Sequence, residues 1–133
     1  MKVLLIAQGS SSWERFIKSW GLSFLIDEDV LFDAFGDEKE FFNNIKKFNI
    51  DIMKIKHIVI SHEHWDHIAG LWKIVELNKN LSVYICKGFS NKTKERIKKA
   101  GVNVVEIKGM KRIKNNIYTT GEIKGYYGKT VIF

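Results

Sequence analysis

The segment Ser61–His67 concentrates the side chains of this sequence that are best suited to bind a cation. It contains three of the four histidines of the chain, together with one aspartate and one glutamate. Imidazole nitrogens and carboxylate oxygens are the ligands that zinc, iron and manganese accept in proteins. A polar or pH-sensitive loop is the competing interpretation, but three histidines so close together contribute little to a hydrophobic core. The composition of the segment therefore favours a metal site.

The spacing within this segment predicts where each side chain points. Side chains alternate along an extended backbone, so His62 and His64 face one side and Glu63 faces the other. Asp66 and His67 then come from the turn into a following helix and point to a neighbouring position. Two ligands toward each of two close positions are what a two-metal hydrolytic site requires.

The segment is predicted to lie between a strand and a helix. His57–Ile60 is a short apolar run, and His67–Leu77 carries apolar residues at helical spacing. Strands and helices alternate along most of the chain, which favours an α/β layered sheet. The other predicted strands are Lys2–Ala7, Leu22–Ile26, Val30–Phe32, Ser82–Cys86, Val102–Ile107, Ile117–Thr119 and Thr130–Phe133. The other predicted helical segments are a turn at Trp13–Trp20, a helix opened by the capping pair Asp37 and Glu40, and a basic helix between Ser90 and Gly101.

Length and composition exclude several classes of protein. The chain has 133 residues, 45% apolar and 28% charged, which are the proportions of one globular domain and not of a disordered or fibrous protein. The single cysteine cannot form an internal disulfide, and no apolar run approaches a membrane span, so we expect a soluble cytoplasmic protein without membrane contact. The net charge of +7 arises mainly after residue 86. Few aromatic side chains accompany these lysines, which argues for a solvated face over nucleic-acid binding.

Three motifs carry a resemblance to a known family. The string H-x-H-x-D-H after an apolar strand resembles the signature of the metallo-β-lactamase superfamily of metal-dependent hydrolases. Leu31–Gly36 is similar to the family's upstream L-F-D-x-G, lengthened here by one residue. Gly21–Ile26, Trp65 and Tyr118–Ile123 are similar to the subgroup of dihydropterin-ribofuranosyl-aminobenzene-phosphate synthase-like proteins. The resemblance covers roughly residues 20–133 and implies the N-terminal half of an αββα layered fold, one sheet with flanking helices.

The resemblance also implies a role for each residue that matches its motifs. His62 and His64 would bind a first metal, and Asp66 and His67 a second, with Asp66 also catalytic. Asp33 would bind no metal itself but would hydrogen-bond a ligand histidine and orient its ring. The implied cofactor is zinc, with iron or manganese as alternatives, and up to two ions. The implied reaction is attack by a metal-bound hydroxide on an ester, amide or phosphodiester of a small substrate, with or without a phosphate group.

Some ligands of the family have no counterpart in this sequence. The family adds a third histidine on the first metal, a bridging aspartate and a last histidine, but no histidine follows His67 and no aspartate follows Asp66. We therefore expect residues 1–133 to form a single domain that is incomplete at its C-terminus. Three explanations stay open: the chain is the N-terminal half of a longer protein, it pairs with a complementary C-terminal half or a second copy, or it has lost activity. The exposed sheet of such a half domain predicts association. The alternative function is a catalytically incompetent metal-binding or interaction module.

The remaining candidate residues are predicted to lie outside the metal site. His57 opens a strand, and its spacing from His62 fits no ligand pattern. Cys86 is predicted to be a small core residue in preference to a soft metal ligand. Neither Glu106 nor Glu122 stands where the family motif requires a carboxylate. Trp65 is left open between lining a substrate pocket and packing in the core.

Overall fold

The computed structural model describes residues 1–9, 20–124 and 130–131, and within these residues the main element is a six-stranded sheet. Its strands are β1 (Val3–Gly9), β2 (Gly21–Ile26), β3 (Val30–Phe32), β4 (His57–Val59), β5 (Ser82–Cys86) and β6 (Asn103–Ile107). Two short hairpin-like pairs follow, β7 (Lys111–Lys114) with β8 (Ile117–Thr119), and β9 (Ile123–Lys124) with β10 (Thr130–Val131). The helices are α1 (Glu38–Lys47), α2 (Trp65–Ile68), α3 (Leu71–Leu77) and α4 (Asn91–Lys99), with a 3₁₀ turn at Ile52–Lys54.

Strand order in the large sheet follows the order of the sequence from β1 to β6. The first three strands are antiparallel and the last four, β3 to β6, are parallel. Helices connect the parallel strands, as right-handed parallel connections require. This arrangement confirms the predicted α/β sheet with flanking helices.

Helix α1 begins as the sequence predicts. The Asp37 side chain accepts a hydrogen bond of 2.9 Å from the backbone amide of Glu40, which satisfies one of the free amides of the first turn. Phe41 and Ile45, one turn apart, are buried against the sheet. Lys46 and Lys47 lie in the last turn, where their positive charges interact favourably with the negative end of the helix dipole.

The predicted helix His67–Leu77 is wrong in one respect, because it is two short helices. The backbone of the loop after β3 interrupts it: the amides of Ala69 and Gly70 donate to the carbonyls of Phe35 and Ala34, at 3.0 and 2.9 Å. A methyl group added at Gly70 would lie 2.8 Å from the Ala34 oxygen, so glycine is needed for this approach. The loop is thereby fixed to the junction between α2 and α3.

Several strand boundaries differ from the prediction by one or two residues. β1 continues to Gly9, where it pairs with the start of β2, and β4 ends one residue early at Val59. The strand β7 was not predicted because it carries three basic residues and one apolar residue. The predicted turn Trp13–Trp20 lies outside the described residues except for Trp20, and Thr130–Phe133 is described only at its first two positions.

The hydrophobic core uses both faces of the central strands. Val30 and Leu31 are adjacent and point to opposite faces, yet they are 1% and 0% exposed. The first strand is different, since Val3 and Leu5 are 54% and 42% exposed. One face of the sheet is therefore open at its β1 edge. No helix in the described part of the chain is long and apolar enough to cross a bilayer.

Candidate metal centre

The Ser61–His67 segment lies at the carboxyl ends of the parallel strands β3 and β4. Phe32 pairs with Val59 at the ends of these strands. The amide of the next residue, Asp33, donates a 2.9 Å hydrogen bond to the carbonyl of Val59. Ligand sites of open α/β sheets occur at this end of the strands.

Asp33 is fully buried, and its carboxylate connects the loop after β4 to helix α2. One oxygen, Oδ1, accepts a 2.7 Å bond from the Ser61 amide. The other, Oδ2, accepts bonds from the Ser61 hydroxyl at 2.7 Å and from His67 Nδ1 at 2.6 Å. Because an ionised carboxylate only accepts, Nδ1 of His67 carries the proton and Nε2 keeps a free lone pair.

Ser61 is a site residue that the sequence analysis missed. Its hydroxyl donates to Asp33, so its lone pair accepts the bond from His62 Nδ1 at 2.9 Å. Nε2 of His62 consequently keeps the lone pair that a metal would use. The position of Ser61 between the apolar strand and the first histidine was the available signal.

Three of the predicted ligands face a common point. Nε2 of His67 lies 3.4 Å from Oδ2 of Asp66, and the ring centroids of His62 and His67 are 4.0 Å apart. One ligand atom from each of His62, Asp66 and His67 lies within 4.8 Å of the others. Two imidazoles and a carboxylate fit a divalent cation such as zinc, manganese or iron.

His64 lies beside this group of three residues. It occupies the N-cap position of α2, and its ring centroid is 4.5 Å from that of His62. The structure therefore groups His62, Asp66 and His67 around one point and places the ring of His64 against that of His62, with Asp33 behind them. We refer to these four predicted ligands as the cluster. Their division into one pair for each of two metals stays a prediction.

The electrostatics of the cluster favour unprotonated histidine at His62. Burial and the neighbouring His67 and His64 lower the pKa of His62 to about 4. At His67 burial also acts to lower the pKa, but the hydrogen bond and charge of Asp33 outweigh it and raise the pKa above 6.5. A proton therefore competes with a metal mainly at His67.

The lowered pKa of His62 predicts an acid-dependent loss of stability. Between its usual pKa of 6.5 and about 4, the unfolded chain binds a proton at His62 that the folded chain does not. Acidification through this range therefore destabilises the metal-free protein, while His67 contributes in the opposite sense. We expect urea denaturation from pH 7 to pH 4.5 to show a larger loss of stability in the wild type than in His62→Asn. Equal losses would contradict this.

Glu63, predicted to face away from the metals, binds the start of α4. Its carboxylate accepts bonds from the Ser90 amide at 3.0 Å and from the Ser90 hydroxyl at 2.8 Å. The same hydroxyl accepts from the Thr93 amide and caps α4. The loop between the first two histidines is thus attached to a helix of the scaffold.

Removal of this attachment has a moderate expected effect. Glu63→Ala breaks two charge-assisted hydrogen bonds at a largely exposed position, so the free energy of unfolding falls by about 1 kcal/mol. Glu95→Ala, which removes a carboxylate from the exposed side of α4, is the matched control and changes stability little. Chemical denaturation of both variants measures the difference. An equal loss in both would show that the Glu63–Ser90 contact contributes nothing.

The other candidates lie apart from the cluster or beneath it. Nδ1 of His57 pairs with the Tyr84 hydroxyl at 3.1 Å, and Cys86 is buried with its sulfur 3.8 Å from the Ser61 carbonyl. Burial raises the pKa of the Cys86 thiol to about 12, which keeps it protonated. The two late carboxylates bind elsewhere, Glu106 to Lys94 and Glu122 to the Gly88 amide.

Trp65 faces an open cleft beside the cluster. Trp65 is 47% exposed and lines this cleft of about 260 Å³ together with Trp20, His64 and Asp66. The structure therefore favours the pocket-lining interpretation over core packing for this side chain.

Comparison with known proteins agrees with this geometry. The sequence profile of the metallo-beta-lactamase superfamily matches residues 21–120. A curated relative from Methanocaldococcus jannaschii, 7,8-dihydropterin-6-methyl-4-(beta-D-ribofuranosyl)-aminobenzene-5'-phosphate synthase, is 30% identical over 150 aligned positions. The alignment covers 93% of this chain and 51% of that protein. This chain thus spans about half the length of the relative.

Solved structures share the fold. A metal-dependent hydrolase of the beta-lactamase superfamily superposes with a TM-score of 0.65 at 23% identity, over 96% of this chain and 50% of the other. The metallo-beta-lactamase fold protein YhfI from Bacillus subtilis gives a TM-score of 0.68 at 17% identity, over 98% and 55%. The predicted family and fold are both confirmed. With its profile, its sheet and its H-x-H-x-D-H segment in agreement, this chain belongs to the metallo-beta-lactamase superfamily.

Proposed function

We propose that this chain supplies the N-terminal part of a metal-dependent catalytic centre, with His62, His64, Asp66 and His67 as its ligands. The observation that carries the proposal is the surroundings of the two ring nitrogens of His67. Nδ1 is held by buried Asp33, and Nε2 faces Asp66 Oδ2 at 3.4 Å. A surface histidine without a ligand role does not need this orientation.

A bound divalent cation would supply Lewis acidity and a water of lowered pKa, the chemistry used to cleave esters, amides and phosphodiesters. The chain's own residues prepare the site for it. Asp33 and Ser61 bond Nδ1 of the two histidine rings, so that Nε2 of each ring faces the cluster and, in the neutral ring, carries the lone pair that a metal would use. Asp66 is the proposed catalytic residue, because a carboxylate at this point can accept a proton from a water molecule and orient that water toward a substrate.

The class of substrate is suggested by the curated relative. That protein is a synthase whose name includes a 5'-phosphate. We propose a small phosphorylated molecule as substrate and hydrolysis as the reaction. Group transfer in place of hydrolysis would use the same ligands.

Metal binding is the first test of the proposal. Equilibrium dialysis of the whole chain against zinc, manganese or ferrous ion, followed by elemental analysis, should find at least one ion per chain. Hydrolysis of bis(4-nitrophenyl) phosphate by the loaded protein then tests for catalysis, with Asp66→Asn as the inactive comparison. A chain that retains no ion after dialysis would overturn the proposal.

Completion of the site by ligands outside residues 1–133 is part of the proposal, whether they come from further sequence, a complementary half or a second copy. After His67 this sequence contains no histidine or aspartate, and a catalytic zinc has three protein ligands and a water. Val3 and Leu5 on the open edge of the sheet provide an apolar surface for a complementary C-terminal half or a second copy. Light scattering would detect self-association, and Leu5→Glu should abolish it.

A metal-binding or interaction module without catalysis is the second candidate. The absence of any histidine or aspartate after His67 favours this candidate. His62, Asp66 and His67 bring three metal-binding atoms together without a further residue. A chain that binds an ion and hydrolyses no phosphate or acetate ester in any oligomeric state would support this candidate over the first.

A further inference from the structure

Two glycines lie directly beneath the residue that contributes the carboxylate to the cluster. Gly21 begins β2 with a φ of +110°, and a methyl group added there would collide with the carbonyl group of Asp66. A positive φ of this kind is also unfavourable for any side chain. The backbone of β2 therefore meets the backbone of α2 with no side chain between them.

Gly36 forms the other half of this contact. A methyl group added at Gly36 would lie 3.0 Å from Asp66 Cα and 2.8 Å from Cζ3 of the Trp65 ring, and would also collide with the Trp20 carbonyl. Both glycines belong to motifs that the sequence singles out, but the proposed metal ligation gives neither glycine a role. Gly36 closes the Leu31–Gly36 segment, which is one residue longer than the pattern it resembles.

The two kinds of ligand in the cluster are thus held in different ways. The hydrogen bond that His67 Nδ1 donates to the Asp33 carboxylate orients His67. Asp66, in contrast, has its main chain pressed against Gly21 and Gly36, while its carboxylate reaches toward His67 Nε2 at 3.4 Å. A displacement of the Asp66 main chain by a few tenths of an ångström would move this carboxylate directly.

We propose that Gly21 and Gly36 are positioning residues for Asp66. Because neither glycine carries a side chain, the main chain of Asp66 lies close enough to both for its carboxylate to join the cluster. This inference rests on the proposed metal-binding role of Asp66. A side chain at Gly21 moves α2 away from β2, and a side chain at Gly36 moves α2 away from the loop after β3. Either change enlarges the separation of the Asp66 carboxylate from His67. The metal affinity then falls although every ligand residue is still present.

Gly36→Ala is the direct test, and the chain offers a matched control. Gly36 and Gly109 both lack a positive φ, so alanine strains neither backbone. A methyl group at Gly109 would meet no atom within 4 Å. The pair Gly36→Ala and Gly109→Ala therefore differs in the collision alone.

The first readout needs no metal. In amide correlation spectra of the metal-free whole chain, Gly36→Ala should shift the Trp65, Asp66 and His67 signals, and Gly109→Ala should leave them in place. Unmoved Asp66 and His67 signals in Gly36→Ala would overturn the proposal. This readout decides the positioning role even if the wild type binds no metal, a result that would refute the proposed function alone.

The second readout is the binding of cobalt(II) as a spectroscopic probe. We expect Gly36→Ala to weaken binding at least 10-fold and to change the visible absorption of the bound ion. Asp66→Glu should weaken binding in the wild type but improve it in Gly36→Ala, since a longer side chain compensates for a displaced backbone. Wild-type affinity in Gly36→Ala, or no improvement from Asp66→Glu, would contradict the proposal.

A second variant keeps the proposal testable if Gly36→Ala does not fold. Trp65→Ala combined with Gly36→Ala removes the collision with the ring and leaves the collisions with the Trp20 carbonyl and with Asp66 Cα. If the single variant unfolds, this double variant is compared with Trp65→Ala by the same two readouts. The same shift of Asp66 and at least a 10-fold loss of cobalt affinity are expected, and their absence would overturn the inference.

Discussion

Asp33→Asn is expected to lower the free energy of unfolding by about 3 kcal/mol and the metal affinity by about 10- to 100-fold. Asp33 is fully buried and accepts three hydrogen bonds, two from Ser61 and one from His67. Asparagine keeps the shape of the side chain but replaces one accepting oxygen by a donating NH₂ group. Three donors then face a single accepting oxygen that has two lone pairs, so at least one of them meets the NH₂ group instead. When the oxygen stays with the Ser61 amide, the His67 ring loses the bond that fixes its proton on Nδ1.

Two measurements and one control check this expectation. Urea denaturation gives the change in stability of the metal-free chain, and dialysis with elemental analysis gives the metal content. Asp51→Asn is the matched control, because the exposed Asp51 accepts only a local bond from the Met53 amide. If Asp33→Asn kept the wild-type metal content, the role of Asp33 in orienting His67 would be refuted.

His67→Ala should remove essentially all bound metal, whereas His57→Ala should leave the metal content unchanged. His67 provides a ring nitrogen that faces both Asp66 and His62, so no other described side chain can replace it there. His57 begins β4, at the opposite end of the strand from the cluster, and pairs with Tyr84. Elemental analysis of the two variants in parallel measures the difference.

The other two histidines refine this experiment. His62→Ala removes a member of the three-residue group and should lower the metal content nearly as far as His67→Ala. His64→Ala should also lower it, since His64 is the fourth predicted ligand. Full metal content in His64→Ala would restrict the site to the three residues that the structure groups together. Loss of metal in His57→Ala would show that the histidines have been assigned wrongly.

The sequence predicts those features of the fold that depend on local patterns. The cap at Asp37 and the hairpin of β2 and β3 depend on a few neighbouring residues, and both are present. The break in the predicted helix His67–Leu77 could not be foreseen, because it results from bonds to the loop after β3. The missed strand β7 shows the same limit, since its partner β8 and not its own composition makes it a strand.

For the candidate site, the sequence indicates the ligands but not how they are held. The alternation of side chains and the motif bring four residues to one cluster. The bond of Ser61 to Asp33 links residues 28 positions apart in the chain, and no periodic pattern reveals it or the bond of Ser61 to the adjacent His62. The close approach of Gly21 to Asp66 depends on how β2 and α2 meet in three dimensions, so it is visible only in the folded chain.

The hydrogen bonds between the loop after β3 and the junction of α2 with α3 have a consequence for folding. The amides of Ala69 and Gly70 belong to helical turns but bond to Ala34 and Phe35, which follow a strand. These elements must therefore open together, and both amides should exchange with solvent only as slowly as the sheet itself unfolds. An arriving ion would meet a binding surface that is already rigid, so little ordering entropy opposes its capture.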